Sequence, residues 1–190
     1  MAERAPTETE LKIPVPELDP VRRRLQALGA CQERPSEPER NVLYDAPDRR
    51  LTAGGQALRL RQSGGRWVLT HKGPVSYQGQ VKVRDELEVA VEDGLVLAAI
   101  LGRLGLEPFV RYEKERERWR LGELEVALDH TAMGDFVEIE GRLEELVAAA
   151  AALGLDATLA LRGSYLALWE QYRQGHLELG LATDMLLPPR

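Results

Sequence analysis

Charged residues recur at a spacing of two inside otherwise apolar stretches, and that pattern constrains the architecture more than any other feature of the chain. In Glu8-Thr9-Glu10-Leu11-Lys12 the alternation puts Glu8, Glu10 and Lys12 on one face of a strand, with Leu11, Ile13 and Val15 on the other. Taken alone this is an ordinary half-buried strand that turns its charges to water. The pattern returns, however, in Arg59 and Arg61, in Arg84, Glu86 and Glu88, in Lys114 and Arg116, and in Glu138 and Glu140. So many two-faced strands predict one shared charged interior. Burying charge is costly unless the charges pair or bind something, so such an interior implies function rather than stability.

With 190 residues the chain suits a single domain, spanning 1–190 with its core at 7–173. A formal charge of -6 speaks against non-specific nucleic-acid binding, which needs a basic surface. Cys31 is the only cysteine, which excludes an internal disulfide and a thiolate zinc site and fits a reducing cytoplasm. Met1–Pro6 lacks the apolar core of a signal peptide, and no run approaches the roughly 20 apolar residues of a membrane span. A soluble cytoplasmic protein with no membrane partner is expected.

Along the chain, a strand over 7–15 is expected to close at Pro14 and Pro16, followed by a helix capped by Asp19 and ended by Gly29. Residues 31–40, with Pro35 and Pro38, read as a loop before a strand at 41–45 that Pro47 stops. Segments 56–62 and 66–72 form a hairpin about Ser63-Gly64-Gly65, and 79–91 is a long two-faced strand. A helix over 93–104 ends at Gly105, and strands return at 107–119, 122–130 and 134–141. Helices over 142–153 and about 158–173 complete the pattern. The fold class is therefore α+β: a closed, mostly antiparallel barrel of about eight strands with a charged lumen and helices packed outside. The tail, 177–190, is unassigned; its leucines and Met185 can pack on the barrel or on a second copy, which leaves a homodimer open.

At this point the chain resembles the CYTH-domain family, the triphosphate tunnel metalloenzymes that include class IV adenylyl cyclases, thiamine triphosphatases and inorganic triphosphatases. The resemblance rests on Glu8-x-Glu10-x-Lys12, Tyr44-Asp45-Ala46-Pro47-Asp48, the arginines of Ala57-Leu58-Arg59-Leu60-Arg61, and Leu69-Thr70-His71-Lys72. It continues through Arg84-x-Glu86-x-Glu88, Lys114-x-Arg116-x-x-Trp119, Asp129, Gly134 to Glu140 and Ser164-Tyr165, in the family's order. Ala46 replaces the usual threonine, and Asn41 stands where some members have aspartate.

The resemblance implies a triphosphate substrate. Such a chain of phosphates carries about four negative charges, which arginine forks and lysines can share. Lys12, Arg59, Arg61, Lys72, Arg84, Lys114 and Arg116 are the expected substrate ligands, with Lys114 also the expected catalytic residue. Carboxylates beside them would repel the substrate unless a hard cation lay between, so Mg2+ or Mn2+ is expected on Glu8, Glu10, Glu138 and Glu140, with Asp129 serving a second ion. Glu86 and Glu88 are supporting residues. In the ion-free barrel these glutamates should repel one another, so neutralising Glu8 or Glu10 should not lower stability, and relief of the repulsion can even raise it. His71, His130 and His176 show no ligand spacing and read as surface or core residues, while Tyr165 fits core packing or closure of the tunnel. Three activities remain open: hydrolysis of the terminal phosphoanhydride of inorganic, thiamine or nucleoside triphosphate, the favoured one; cyclisation of ATP to 3',5'-cyclic AMP and pyrophosphate; and binding of polyphosphate without turnover.

Overall fold

In β1 (Thr7–Val15) both sides of the strand are buried: Leu11 and Ile13 on one, Glu10 and Lys12 on the other. A strand buried on both faces lies in a sheet that is covered twice or closed on itself, and the computed structural model, which describes residues 7–188, shows closure. The readings of Met1–Pro6 and of the end of the tail at Arg190 lie outside the described residues.

β2 (Cys31–Asp45), β3 (Ala57–Ser63), β4 (Arg66–Lys72), β6 (Val81–Val91), β7 (Glu107–Leu121), β8 (Leu124–Thr131) and β9 (Gly134–Glu140) join β1 in the order β1-β9-β8-β7-β2-β3-β4-β6. Antiparallel pairing of β6 back onto β1 closes the barrel. β5 (Ser76–Gln78) is a short extra arm on β6. The β3–β4 turn is the pair Gly64-Gly65, both at positive φ (54° and 74°), as a tight two-residue hairpin requires.

The outward faces meet helices. α1 (Asp19–Ala27) and α4 (Leu143–Ala152) place Val21, Leu25, Leu146 and Ala150 on Leu11, Ile13, Val126, Leu128, Val137 and Ile139. Each buried aliphatic there is worth about 1.5–3 kcal/mol against exposure. Trp119 joins this outer core. α3 (Gly94–Arg103) lies over β3 and β4, packing Leu101 with Tyr44 and Leu60. Its first residue must be glycine, because a Cβ there would fall 2.1 Å from the Trp67 ring. On β6, Leu87 and Val89 stay exposed (53% and 57%), so the helices cover the apolar faces only in part. Among the described residues no helix is long and apolar enough to cross a membrane.

α5 (Tyr165–Gly175) lies across one end of the barrel, where the inward faces turn apolar at Leu43, Tyr112 and Phe136. The tail completes this end. Met185 is fully buried, its backbone N–H donates to the Arg111 carbonyl (3.0 Å) and its carbonyl accepts from Glu113 (2.8 Å), and the Trp169 indole donates to the carbonyls of Ala182 and Thr183. Of the alternatives for the tail, packing on its own barrel is therefore realised.

Several local expectations are corrected. Residues 31–40 are strand, because register shifts between Gln32 and Arg34 and between Arg34 and Glu37 absorb the prolines. Pro14 pairs with Phe136 rather than ending β1; β6 flanks β1 only from Thr7 to Glu10, so the missing N–H costs no ladder bond. Asp19 is the first helical residue and not a cap. The last helix starts at Tyr165, capped by the Ser164 hydroxyl accepting from the Ala167 N–H, and residues 157–159 form a separate 3-10 turn. The short helix α2 (Arg50–Ala53) and β5 have no counterpart in the sequence reading.

Candidate active site in the barrel lumen

The strand period delivers the charged residues to one cavity of about 730 Å³. Its lining includes Glu8, Glu10, Lys12, Arg59, Arg61, Lys72, Arg84, Glu86, Glu88, Lys114, Arg116, Glu138 and Glu140. Every expected substrate ligand is there, and so is every expected metal ligand except Asp129. Lys82, Arg118 and Glu125 complete the charged lining.

The charges are sorted. β3 and β7, on either side of β2, supply Arg59, Arg61, Lys114, Arg116 and Arg118. β1, β9 and β6 supply most of the glutamates and β8 adds Glu125, while Lys12 of β1 and Lys82 and Arg84 of β6 lie among them. The registers put Glu10 directly opposite Glu140 and Lys12 opposite Glu138. Like charges facing one another across a ladder are unfavourable, so the Glu10–Glu140 pair calls for a cation.

Lysines take part of that role. Lys72 bridges Glu8 (2.7 Å) and Glu86 (2.6 Å), Lys82 reaches Glu10 (2.6 Å), and Lys12 reaches Glu138 (3.1 Å) and Glu10 (3.4 Å). Among the described residues no group of three metal-ligating side chains converges into a preformed cage. Among the described residues four buried side-chain atoms lack a hydrogen-bond partner: the acceptors Glu8 Oε2, Glu39 Oε2 and Asn41 Oδ1 and the donor Arg59 Nε. Buried polar atoms are normally satisfied, and of these residues Glu8 and Arg59 line the cavity, where they mark one place for a cation and one for an anion. The hard-oxygen donor set of Glu8, Glu10, Glu138 and Glu140 fits Mg2+ or Mn2+.

Protonation follows this division. Burial pushes the Glu8 carboxyl up, but Lys72 and Lys82 outweigh it and hold it at about 2. Glu86 shares Lys72 yet rises to about 7, because burial and the Glu8 charge prevail. Glu140, at the end of β9, accepts no side-chain hydrogen bond among the described residues and rises to about 8 through desolvation and the charges of Glu8, Glu125, Glu10 and Glu86. Electrostatic strain thus sits on Glu86 and Glu140. For Glu8 the sequence expectation is reversed: it is a stabilised carboxylate.

Asp129, the expected ligand of a second ion, is fully buried behind the lining. Its oxygens accept from Arg116 (2.7 and 2.5 Å), Lys114 (3.1 Å) and the Tyr165 hydroxyl (2.6 Å). Those donors fill the carboxylate and fix Lys114 and Arg116. Arg116 also contacts Glu138. Tyr165 combines the two roles open to it, packing edge-on against Phe136 while Lys12 and Lys114 lie 4.3 and 4.8 Å from its ring centre. Arg84 turns its guanidinium to the Gly73 carbonyl (3.1 and 2.7 Å). None of the three histidines lines the cavity; His71 meets Gln56, His130 meets Asp135, and His176 meets the Tyr172 carbonyl.

Sequence reasoning passed over Lys82, Glu39 and Arg118 as site residues. Lys82 shares the parity of Arg84 and Glu86 and was open to the same logic. Glu39 lay hidden in the stretch read as a loop.

The CYTH domain profile matches residues 6–155. A Methanocaldococcus jannaschii protein named "putative adenylate cyclase" is 28% identical over 172 residues, covering 85% of this chain and 97% of that one. A Vibrio parahaemolyticus structure carrying the same description superposes with a TM-score of 0.80 at 23% identity, covering 88% of this chain and 99% of that one. A Hippeastrum structure, described as a putative adenylyl cyclase that reveals a dominant triphosphatase activity, gives 0.65 at 17% identity, with 87% and 96% covered.

Proposed function

The chain belongs to the CYTH-domain family, and from that premise we propose that it is a metal-assisted triphosphatase cleaving the terminal phosphoanhydride of a triphosphate held in the lumen. The observation that carries this reading is that, of the buried atoms without a hydrogen-bond partner, Glu8 Oε2 and Arg59 Nε belong to residues that line the charged cavity. A bound triphosphate with its cation supplies both missing partners.

In this reading Arg59, Arg61, Lys114 and Arg116 receive the phosphate oxygens, and Lys12, Lys72, Lys82 and Arg84 on the same lining share the remaining charge. Glu8, Glu10, Glu138 and Glu140 hold Mg2+ or Mn2+, which when bound neutralises phosphate charge and lowers the pKa of coordinated water. Lys114, locked by Asp129 and wholly inside the barrel, stabilises charge developing on the transferred phosphoryl group. Asp129 serves as the orienting group for Lys114 and Arg116. A reducing cytoplasm suits the free, exposed Cys31.

The second reading, cyclisation of ATP, is favoured by the names of the archaeal and Vibrio relatives. It uses the same cradle with a ribose hydroxyl in place of water. Hydrolysis is preferred because it requires only a triphosphate and water. Incubation with inorganic triphosphate, thiamine triphosphate and ATP under Mg2+ or Mn2+, followed by phosphorus NMR, separates the two. Orthophosphate release is expected; cyclic AMP and pyrophosphate as the main products from ATP would replace this reading with the second.

A further inference from the structure

β2 runs between the two cationic strands and gives the lumen no cation of its own. Its inward charged residue there is Glu39, opposite Ser63 of β3 and Lys114 of β7 and fully buried. Three cations surround its carboxylate at or just beyond hydrogen-bond range: Lys114 at 3.5 Å, Arg118 at 3.6 Å and Arg61 at 3.8 Å. Asn41 donates to Oε1 at 3.1 Å, and Oε2 accepts from no one. Asp129 differs, since it takes direct bonds from Lys114, Arg116 and Tyr165. Glu39 instead stands at or just beyond hydrogen-bond range of Lys114, Arg118 and Arg61, which each place one donor on another carboxylate, Asp129, Glu125 and Glu88 respectively, and keep the others.

We propose that Glu39 is a positioning residue of the phosphate cradle, an internal counter-anion that gathers Arg61, Lys114 and Arg118 and leaves their remaining N–H groups available for phosphate oxygens. The inference rests on the reading that the lumen takes a phosphate chain. Without Glu39 the three like charges repel one another and spread. The same carboxylate repels an incoming anion, so Glu39 lowers affinity while it raises order. Removing its charge therefore tightens binding and slows turnover, an opposition that a simple structural brace does not produce.

The test is calorimetric binding of inorganic triphosphate with Mg2+, together with steady-state turnover, on the parent, Glu39→Gln and Glu39→Asp. Glu39→Gln is expected to bind about tenfold more tightly and to turn over about tenfold more slowly or worse, because the repulsion and the gathering are lost together. Glu39→Asp keeps the charge, so its affinity should stay within about twofold of the parent while its turnover falls part of the way. Unchanged or weaker binding by Glu39→Gln overturns the inference, as does unchanged turnover alongside a lowered melting temperature. If Glu39→Gln fails to fold, Glu39→Asp decides: parental turnover, or affinity changed well beyond that margin, overturns it. A parent that binds no triphosphate removes the reading of the site, and the inference with it, by a distinct result.

Discussion

Glu8 and Glu86 hold the same lysine and lie against one another, yet replacing each by glutamine should move stability in opposite directions. Glu86 is the strained partner, its carboxyl raised from an ordinary 4.5 to about 7. A group that binds its proton more tightly in the folded state loses stability as pH rises, here between about 4.5 and about 7. At about 1.4 kcal/mol per tenfold, the rise sets an upper limit of about 3 kcal/mol on the cost of ionised Glu86 above neutrality. Side-chain relaxation and entering water reduce that, so Glu86→Gln should gain about 1–2 kcal/mol at pH 8. For a chain of this length that is roughly 3–6 °C in melting temperature. At pH 4 the gain should vanish, because both states are then protonated. Glu8, held near 2, carries the other sign: its contribution is full above pH 4.5 and is lost as pH falls toward 2. Glu8→Gln should therefore melt lower at pH 8. Melting the metal-free parent and both variants from pH 4 to pH 8 tests this. A Glu86→Gln protein no more stable than the parent at pH 8, or a stabilised Glu8→Gln, would refute the division of the glutamates into a satisfied and a strained member.

Three further outcomes are expected. Excess EDTA should abolish triphosphate turnover and added Mg2+ or Mn2+ restore it, measured as orthophosphate release; full activity in EDTA would exclude the ion. Arg59→Ala should weaken triphosphate binding by about ten- to a hundredfold through loss of a charge-assisted contact, with the far-UV circular dichroism unchanged. Asp129→Asn should cost stability, about 3 kcal/mol or more, because Lys114 and Arg116 lose a buried counter-charge; chemical denaturation gives the value, and a loss below 1 kcal/mol would contradict the fixing role.

The barrel was legible because a period of two survives in sequence whatever covers the strand. β1, β3, β4, β6 and β9 carry their inward charges in plain alternation, and the apolar runs around Leu97 and Leu146 change to the helical period. β2 was partly hidden, since proline normally argues against a strand and only the register shifts reconcile it with Pro35 and Pro38. The same bias concealed Glu39. In β7 both faces are charged, which composition cannot interpret; outward Glu117 is buried by Arg22 (3.0 Å), Gln32 (2.7 Å) and the Trp119 indole (2.8 Å), an ion-pair and hydrogen-bond cluster under α1 that depends on a distant helix. The filling of Asp129 is likewise tertiary. Lys114 and Arg116 could be placed on one face from sequence, but that Tyr165 reaches the same carboxylate from α5 could not.

The placement of charge also bears on what can enter. Around the lumen Lys12, Arg59, Arg61, Lys72, Lys82, Arg84, Lys114, Arg116 and Arg118 are matched in number by Glu8, Glu10, Glu39, Glu86, Glu88, Glu125, Asp129, Glu138 and Glu140. An interior so balanced gains little from a bare cation or a bare polyanion, since either one must break existing ion pairs and leave a partner unpaired in a poorly solvated space. A cation and a polyanion bound together would lessen that penalty, because glutamates now paired with lysines would face the cation and those lysines the phosphates. Lys72, Lys82 and Lys12 stand among the carboxylates, which form no cage among the described residues. Binding of triphosphate and metal should accordingly be strongly coupled, each raising the affinity for the other by the same factor.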